Sequence, residues 1–222
     1  MMNTLTKLAL GMMGRLQLEQ PVGDSQAVVS LPPARTSGGL PLMDALHQRC
    51  SAREFMPEAL KPEVLSDLLW AACGINRAEL GGRTAPSAMN AQEVHIYLAL
   101  PQGLYLYEPK QHALQLMVAK DVRRVTGYQD FVDNAPLDII FVADHTRMRL
   151  VPASKRASYA SVAAGAISQN ISLYCASAGL ATVVRAWFDR HALMQAMGLN
   201  PDQQILLSQT VGYPKPVAGA AA

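Results

Sequence analysis

Cysteine is scarce in this 222-residue chain. Cys50, Cys73 and Cys175 are odd in number, widely spaced and form no CxxC pair. That argues against a disulfide framework or a thiolate zinc site, and leaves free buried thiols in a reducing, cytoplasmic compartment as the expectation. Cys50 in particular is expected to be packed rather than reactive. The five histidines are scattered and form no paired ligand motif among themselves, so no metal site is expected. Charge of one sign is also missing: the net charge is +2, and 16% of residues are charged. Neither nucleic acid nor an anionic membrane is therefore expected as partner. No apolar run is long enough for a membrane span. No G-x-G-x-x-G opens a helix after a strand, and Ser87 has no G-x-S-x-G setting. A dinucleotide-binding Rossmann domain and a serine nucleophile thus lack support, and no catalytic residue of the protein itself is indicated.

Half of the residues are hydrophobic by a broad count, enough for one domain with a sizeable core. Residues 1–41 read as leader and linker. The apolar stretch from Leu8 to Met13 suggests a poorly structured or helical leader, with a remnant export signal as the alternative. The Pro- and Gly-rich stretch 20–41 has no packing period. The domain proper is expected over 42–216, with a flexible tail at 217–222. Short helical spacing over 42–49 places Leu42, Ala45 and Leu46 on one face. Pro62 and Glu63 open a clearer helix whose stripe runs Val64, Leu65, Leu68, Leu69, Ala72 and Cys73 up to Gly74. Residues 76–92 read as a long loop. Strands are expected over 94–100, in a hairpin at 104–107 and 114–117, at 137–143, at 180–186 and at 205–211. The run at 137–143 is apolar enough to be a buried central strand. Residues 157–178 form a long helix with small residues on most faces, expected to be buried and packed on all sides. Asp189 caps a last helix to Gly198.

Two segments could carry chemistry. In Arg49-Cys50-Ser51-Ala52-Arg53, an extended backbone puts Arg49, Ser51 and Arg53 on one side. Two forked guanidiniums and a hydroxyl suit a phosphate monoester; a solvated basic turn, with Arg53 paired to Glu54 or Glu58, is the alternative. In Pro86-Ser87-Ala88-Met89-Asn90-Ala91-Gln92, a hydroxyl and two amides both donate and accept. They suit a ligand edge that alternates donors and acceptors, or else cap a turn-rich loop.

Together, R-x-S-x-R-x-F and, about thirty residues on, P-S-A-x-N-x-Q before a strand resemble the signature of the nitroreductase family. The small-residue helix with its Gly179-Leu180 exit and the Val211-Gly212-Tyr213-Pro214-Lys215 ending extend the resemblance over residues 42–216. It implies an α+β fold: a central, mostly antiparallel sheet flanked by helices, with the long small-residue helix buried. It implies FMN, with Arg49, Ser51 and Arg53 on its phosphate and ribityl chain and Lys215 as a further phosphate contact. Pro86, Ser87 and Ala88 would pass close to the flavin, Asn90 and Gln92 would meet its polar edges, and backbone at Leu180, Ala181 and Thr182 would face its reactive side. The two segments must then converge on one pocket. Glu93-Val94 stands where many relatives have Pro-Trp, so contacts differ there.

The resemblance also implies an oxidoreductase in which NAD(P)H is a transient co-substrate and a small planar acceptor, such as a nitroaromatic or quinone, is reduced in ping-pong fashion. It implies a homodimer with FMN at the interface. Other readings are an azoline-oxidising dehydrogenase, a flavin-binding module without turnover and a cofactor-free interaction protein. Tyr128, Phe131, Arg185 and Trp187 are candidates for the substrate side.

Overall fold

The computed structural model describes residues 3–12 and 27–216; the tail at 217–222 and residues 1–2 and 13–26 lie outside them. Nine strands and five helices follow in chain order: α1 (Thr4–Met12), β1 (Val28–Ser30), α2 (Leu42–Gln48), α3 (Pro62–Cys73), β2 (Ile75–Arg77), β3 (Gly82–Arg83), β4 (Val94–Leu100), β5 (Gly103–Glu108), β6 (Ala113–Val118), β7 (Leu137–Asp144), α4 (Ala153–Ser177), β8 (Ala181–Arg185), α5 (Arg190–Met197) and β9 (Gln203–Gly212). Seven strands form one antiparallel sheet in the order β1-β6-β5-β4-β7-β9-β8.

The apolar run at 137–143 falls in β7, an interior strand between β4 and β9 that is buried along nearly its whole length. Alternation divides it between two cores. Leu137, Ile139, Phe141 and Ala143 face α3 and α4, while Ile140 and Val142 face α5 on the other side. α3 starts with Pro62 in its first turn and buries Leu68, Leu69, Ala72 and Cys73. Gly74 ends it without a left-handed turn: a Cβ there would lie 2.5 Å from Trp70 Cδ1, so the constraint is close approach. At the end of α4 the reason is the other one. Gly179 has φ +67°, and Leu180 N–H donates back to the Cys175 carbonyl at 2.8 Å, closing the helix. Asp189 caps α5, accepting from Ala192 N–H at 3.0 Å.

Several expectations need correction. Part of the stretch read as linker is β1, which pairs with β6 at the sheet edge; all three of its residues are exposed, so no apolar period marks it. The leader contains α1, whose Lys7 is buried in an ion pair with Asp133. The long loop at 76–92 contains the two-stranded β2–β3 ribbon. Cys50 is exposed, whereas Cys73 and Cys175 are buried, and burial pushes both buried thiols up to about 12. On α2 only Ala45 is buried; Leu42 is 64% and Leu46 43% exposed. α4 starts four residues before the small-residue run, after Pro152, and it is not covered on all sides. Ala160, Ala163, Ala164, Ile167 and Ile171 face the core, but Ser161, Val162, Gly165 and Gln169 form an exposed stripe. No helix of the described residues is long and apolar enough to cross a membrane.

Candidate functional site

Past α2 the chain runs alongside the start of β8 and the end of β9. Ala52 N–H donates to the Thr182 carbonyl at 2.9 Å, Met56 N–H to Tyr213 at 2.9 Å, and Lys215 N–H to Glu54 at 3.3 Å. Phe55 bridges to Pro214 and is buried with Ala135, Ala181 and Val183. This anchorage holds Arg49, Ser51, Arg53 and Lys215 exposed at one end of the molecule. Among the described residues none of these three cations forms an ion pair, so Arg53 is not paired with Glu54 or Glu58. Leu180, Ala181 and Thr182 lie beneath them, buried. The Thr182 carbonyl is engaged by Ala52, and its hydroxyl donates to the Thr210 carbonyl at 2.8 Å.

The Pro86–Gln92 loop is wound tightly. Met89, Asn90 and Gln92 have φ of 53°, 54° and 51°, a region that only glycine adopts freely. Such strain costs on the order of 1–3 kcal/mol per residue and concentrates at functional sites. Ser87 Oγ accepts from Gln92 N–H at 2.9 Å, and Gln92 Nε2 donates to the Gly81 carbonyl at 2.7 Å and to Asn90 Oδ1 at 3.1 Å. The Gln92 amide thus holds the loop in shape. Pro86, Ser87 and Ala88, with Tyr159, Val162 and Ala163 of α4, enclose a groove of about 300 Å³.

The two segments do not converge within one chain. The groove sits on α4 at Tyr159–Ala163, and the cationic cluster is tied to Thr182, beyond the end of the helix at Ser177. From Ala163 to Ser177 the helix axis alone rises about 21 Å at 1.5 Å per residue. Within one chain the two segments therefore do not line a common pocket. Each chain carries the two groups of residues spaced along α4.

A family model described as Nitroreductase family matches residues 46–213. The chain belongs to the nitroreductase family. A curated protein of Methanocaldococcus jannaschii, "Putative nitroreductase MJ1384", is 31% identical over 159 residues, covering 67% of this chain and 80% of that protein. A crystal structure of a "putative nitroreductase" from Ralstonia eutropha JMP134 is 49% identical with a TM-score of 0.83, covering 90% of this chain and 96% of that one. A nitroreductase-like structure from Desulfovibrio desulfuricans in complex with FMN is 21% identical with a TM-score of 0.59, over 83% of this chain and 92% of that one, and shows the shared fold.

In this nitroreductase-family chain Arg185 is not free to meet a substrate. It is buried, and its Nη2 donates to Asp138 Oδ1 at 2.6 Å and to Thr210 Oγ1 at 2.8 Å, while Nη1 donates to the Thr126 carbonyl at 2.8 Å. Thr126 and Thr210 hydroxyls also donate to Asp138. Burial raises the Asp138 pKa despite Arg185 and the two hydroxyls, and burial lowers that of Arg185. Phe131 lies 5.7 Å beneath Arg185 and packs on Phe55; Tyr128 packs on the half-exposed Trp187. Trp187 is the most accessible of these four candidates.

Three residues near the loop were missed in the sequence. Arg147 Nε donates to the Ala91 carbonyl at 3.2 Å and so braces the strained turn from outside. Arg83 stands just ahead of the loop, and Glu93 just after it. Glu93 is fully buried, and neither carboxylate oxygen has a hydrogen-bond partner among the described residues. Its position is where many relatives have proline, the one available signal.

Proposed function

We propose that this chain binds FMN in a site shared between two copies of itself and serves as an NAD(P)H-driven reductase of small planar acceptors such as nitroaromatics and quinones. The observation that carries this is the split of the site. Arg49, Ser51, Arg53 and Lys215 gather free cations and a hydroxyl at one end of α4, suited to a phosphate ester. The strained loop and its groove form a ring-sized recess at the other end. The stripe between them, with Val162 74% exposed, lacks cover, and so do Leu42, Met43 and Leu46 on the adjoining α2. Two copies paired about a two-fold axis near the middle of α4, helices antiparallel, bring the cationic end of one against the groove of the other. That same contact covers the exposed stripe.

The residues fit FMN when both copies contribute. Arg49 and Arg53 would grip the phosphate with forked donors, Ser51 would add a hydroxyl, and Lys215 a point charge. Pro86, Ser87 and Ala88 would bound the ring plane, and Asn90 would offer its amide to the polar edge. A bound flavin supplies reversible two-electron transfer. The chain orients it and leaves one face open for a nicotinamide and then an acceptor. No protein acid or base is assigned.

The test uses purified protein. It should be yellow, release FMN on denaturation, bleach with NADH or NADPH without oxygen, and recover colour when a nitroaromatic or quinone is added. A colourless protein that takes up no added FMN would overturn the reading. A yellow protein that neither nicotinamide bleaches would point instead to a dehydrogenase running from substrate to flavin, or to a binding module.

A further inference from the structure

β4 and β5 are paired from Tyr97–Leu106 to Leu100–Gly103 and no further. On the other side of that point the strands part: Val94–Ile96 remain on β7, and Tyr107 and Glu108 remain on β6. In an antiparallel strand, at least one of any two consecutive residues turns its N–H and C=O toward a given side. The sheet therefore opens as a fork lined with backbone polar groups that have no ladder partner there. A cavity of about 70 Å³ fills the mouth of the fork, with His95, Tyr107 and Glu108 on its walls and Cys73, Arg83 and Arg147 closing it.

Arg83 is half-buried on β3. Among the described residues its guanidinium has no hydrogen bond and no carboxylate at ion-pair distance. A partly desolvated cation without a counter-ion is costly, and such groups are normally paired or hold a ligand. Across the cavity Arg147 uses Nε on the Ala91 carbonyl, which fixes the guanidinium. The Tyr107 hydroxyl is already engaged with His112 Nδ1 at 2.9 Å. With His95 neutral, Arg83, Arg147 and Glu108 leave one net positive charge around a space too small for a nucleotide or an aromatic ring.

We propose that this fork is a binding site for a small oxyanion, inorganic phosphate or the carboxylate head of a small molecule, held between Arg83 and Arg147. The site lies behind the Pro86–Gln92 loop and does not depend on the flavin reading. His95 lies in the wall of the same cavity and reports on it. Burial, then Arg147, and lastly Arg83 lower its pKa, with Asp144 opposing them. An anion beside the ring shifts this titration back upward.

The experiment uses the protein as purified, with whatever flavin it carries, exchanged into a buffer free of oxyanions. Inorganic phosphate, acetate and chloride are titrated at matched ionic strength, followed by calorimetry and by the ring signals of His95 in NMR. Saturable binding of one phosphate per chain is expected, with the His95 titration moved to higher pH. Arg83→Gln and Arg147→Gln should each weaken it about tenfold or more, since each removes a charge-assisted contact. Phosphate much tighter than acetate identifies free phosphate as the ligand; equal binding identifies a carboxylate head. Arg190→Gln, exposed on α5 across the sheet, should leave the affinity unchanged. The proposal is overturned if His95 is unmoved by both oxyanions, if both arginine variants bind as the parent does, or if Arg190→Gln abolishes binding. Should Arg83→Gln fail to fold, Arg83→Lys keeps the charge but loses the fork and should still weaken phosphate several-fold, and the His95 response of the unaltered protein decides by itself.

Discussion

If each flavin site takes its phosphate grip from one copy and its ring recess from the other, two crippled chains should rescue one another. Arg53→Ala removes a charge-assisted contact worth roughly 1.5–3 kcal/mol, a weakening of FMN of about tenfold to a hundredfold. Ala88→Trp puts an indole into the groove of about 300 Å³ between the loop and α4. Ala88 is half-buried and has an ordinary backbone conformation, so the fold should tolerate the change. Each variant alone should hold little flavin. In a mixed pair, one site combines both lesions, and the other combines the intact Arg53 of one chain with the intact groove of its partner. Random exchange of equal amounts makes half of the pairs mixed, so about a quarter of all sites should regain parental affinity.

The assay is flavin fluorescence titration of the mixture after partial unfolding and refolding together, against the same variants refolded apart. Recovery of about a quarter of the parental tight-binding capacity is expected only on co-refolding. No recovery, with mixed pairs shown to exist by two different affinity tags, would refute the shared site. The roughly 21 Å that α4 imposes between half-sites would then have to be closed in some other way.

Four further outcomes follow. Gly165→Leu adds a side chain where a Cβ meets nothing within 4 Å, so the chain should fold but remain a monomer without flavin; a flavin-bearing dimer in sedimentation would remove α4 from the seam. Arg185→Met leaves the Asp138 carboxyl buried beside two hydroxyls and should cost about 3–5 kcal/mol in urea unfolding, with Asp138→Asn added to it recovering much of the loss; a cost under about 1 kcal/mol would mean the pair is solvated. His95 and His112 both have lowered pKa values, chiefly through burial. The unfolded chain therefore takes up protons more readily, and stability should be full above about pH 6.5 and decline as pH falls through the folded-state values. His95→Gln should flatten that slope in urea midpoints, and an unchanged slope would count against it. Glu93→Leu should raise stability by on the order of 1 kcal/mol, because it removes two buried oxygens with no hydrogen-bond partner among the described residues; a loss of that size would show that the carboxyl group is partnered in the assembled protein.

Much of the fold could be read from the sequence because local chemistry and tertiary packing agree there. The 137–143 run is central since nothing polar interrupts it except Asp138, and Asp138 is matched by Arg185 from β8, a partner 47 residues away that no local pattern announces. Pro62, Asp189, Gly179 and Gly198 mark helix ends through their own backbone and side-chain properties. What escaped was set by backbone pairing or by surface. β1 is held by hydrogen bonds to β6 while its side chains are exposed, so hydrophobic period carries no trace of it. Gly82–Arg83 closes a ribbon two residues long, too short for alternation to register.

The site poses a different problem. The motifs around Arg53 and Ser87 do name two groups of residues with complementary chemistry, and the strained φ values at Met89, Asn90 and Gln92 agree that the second is built for a purpose. Yet a motif is blind to which copy of a chain it lies in. Chemistry requires only that a phosphate grip and a ring recess be adjacent, and a two-fold axis meets that requirement as well as a folded loop does. The exposed stripe on α4 marks the difference. Small residues at Ser161 and Gly165 read from the sequence as close packing, yet both are exposed in the single chain; in the proposed pair the surface they meet belongs to the second copy. A helix whose sequence carries small residues on its dry and its wet face alike hides that division from a reading of periodicity, and the proposed pairing accounts for why the wet face is built that way.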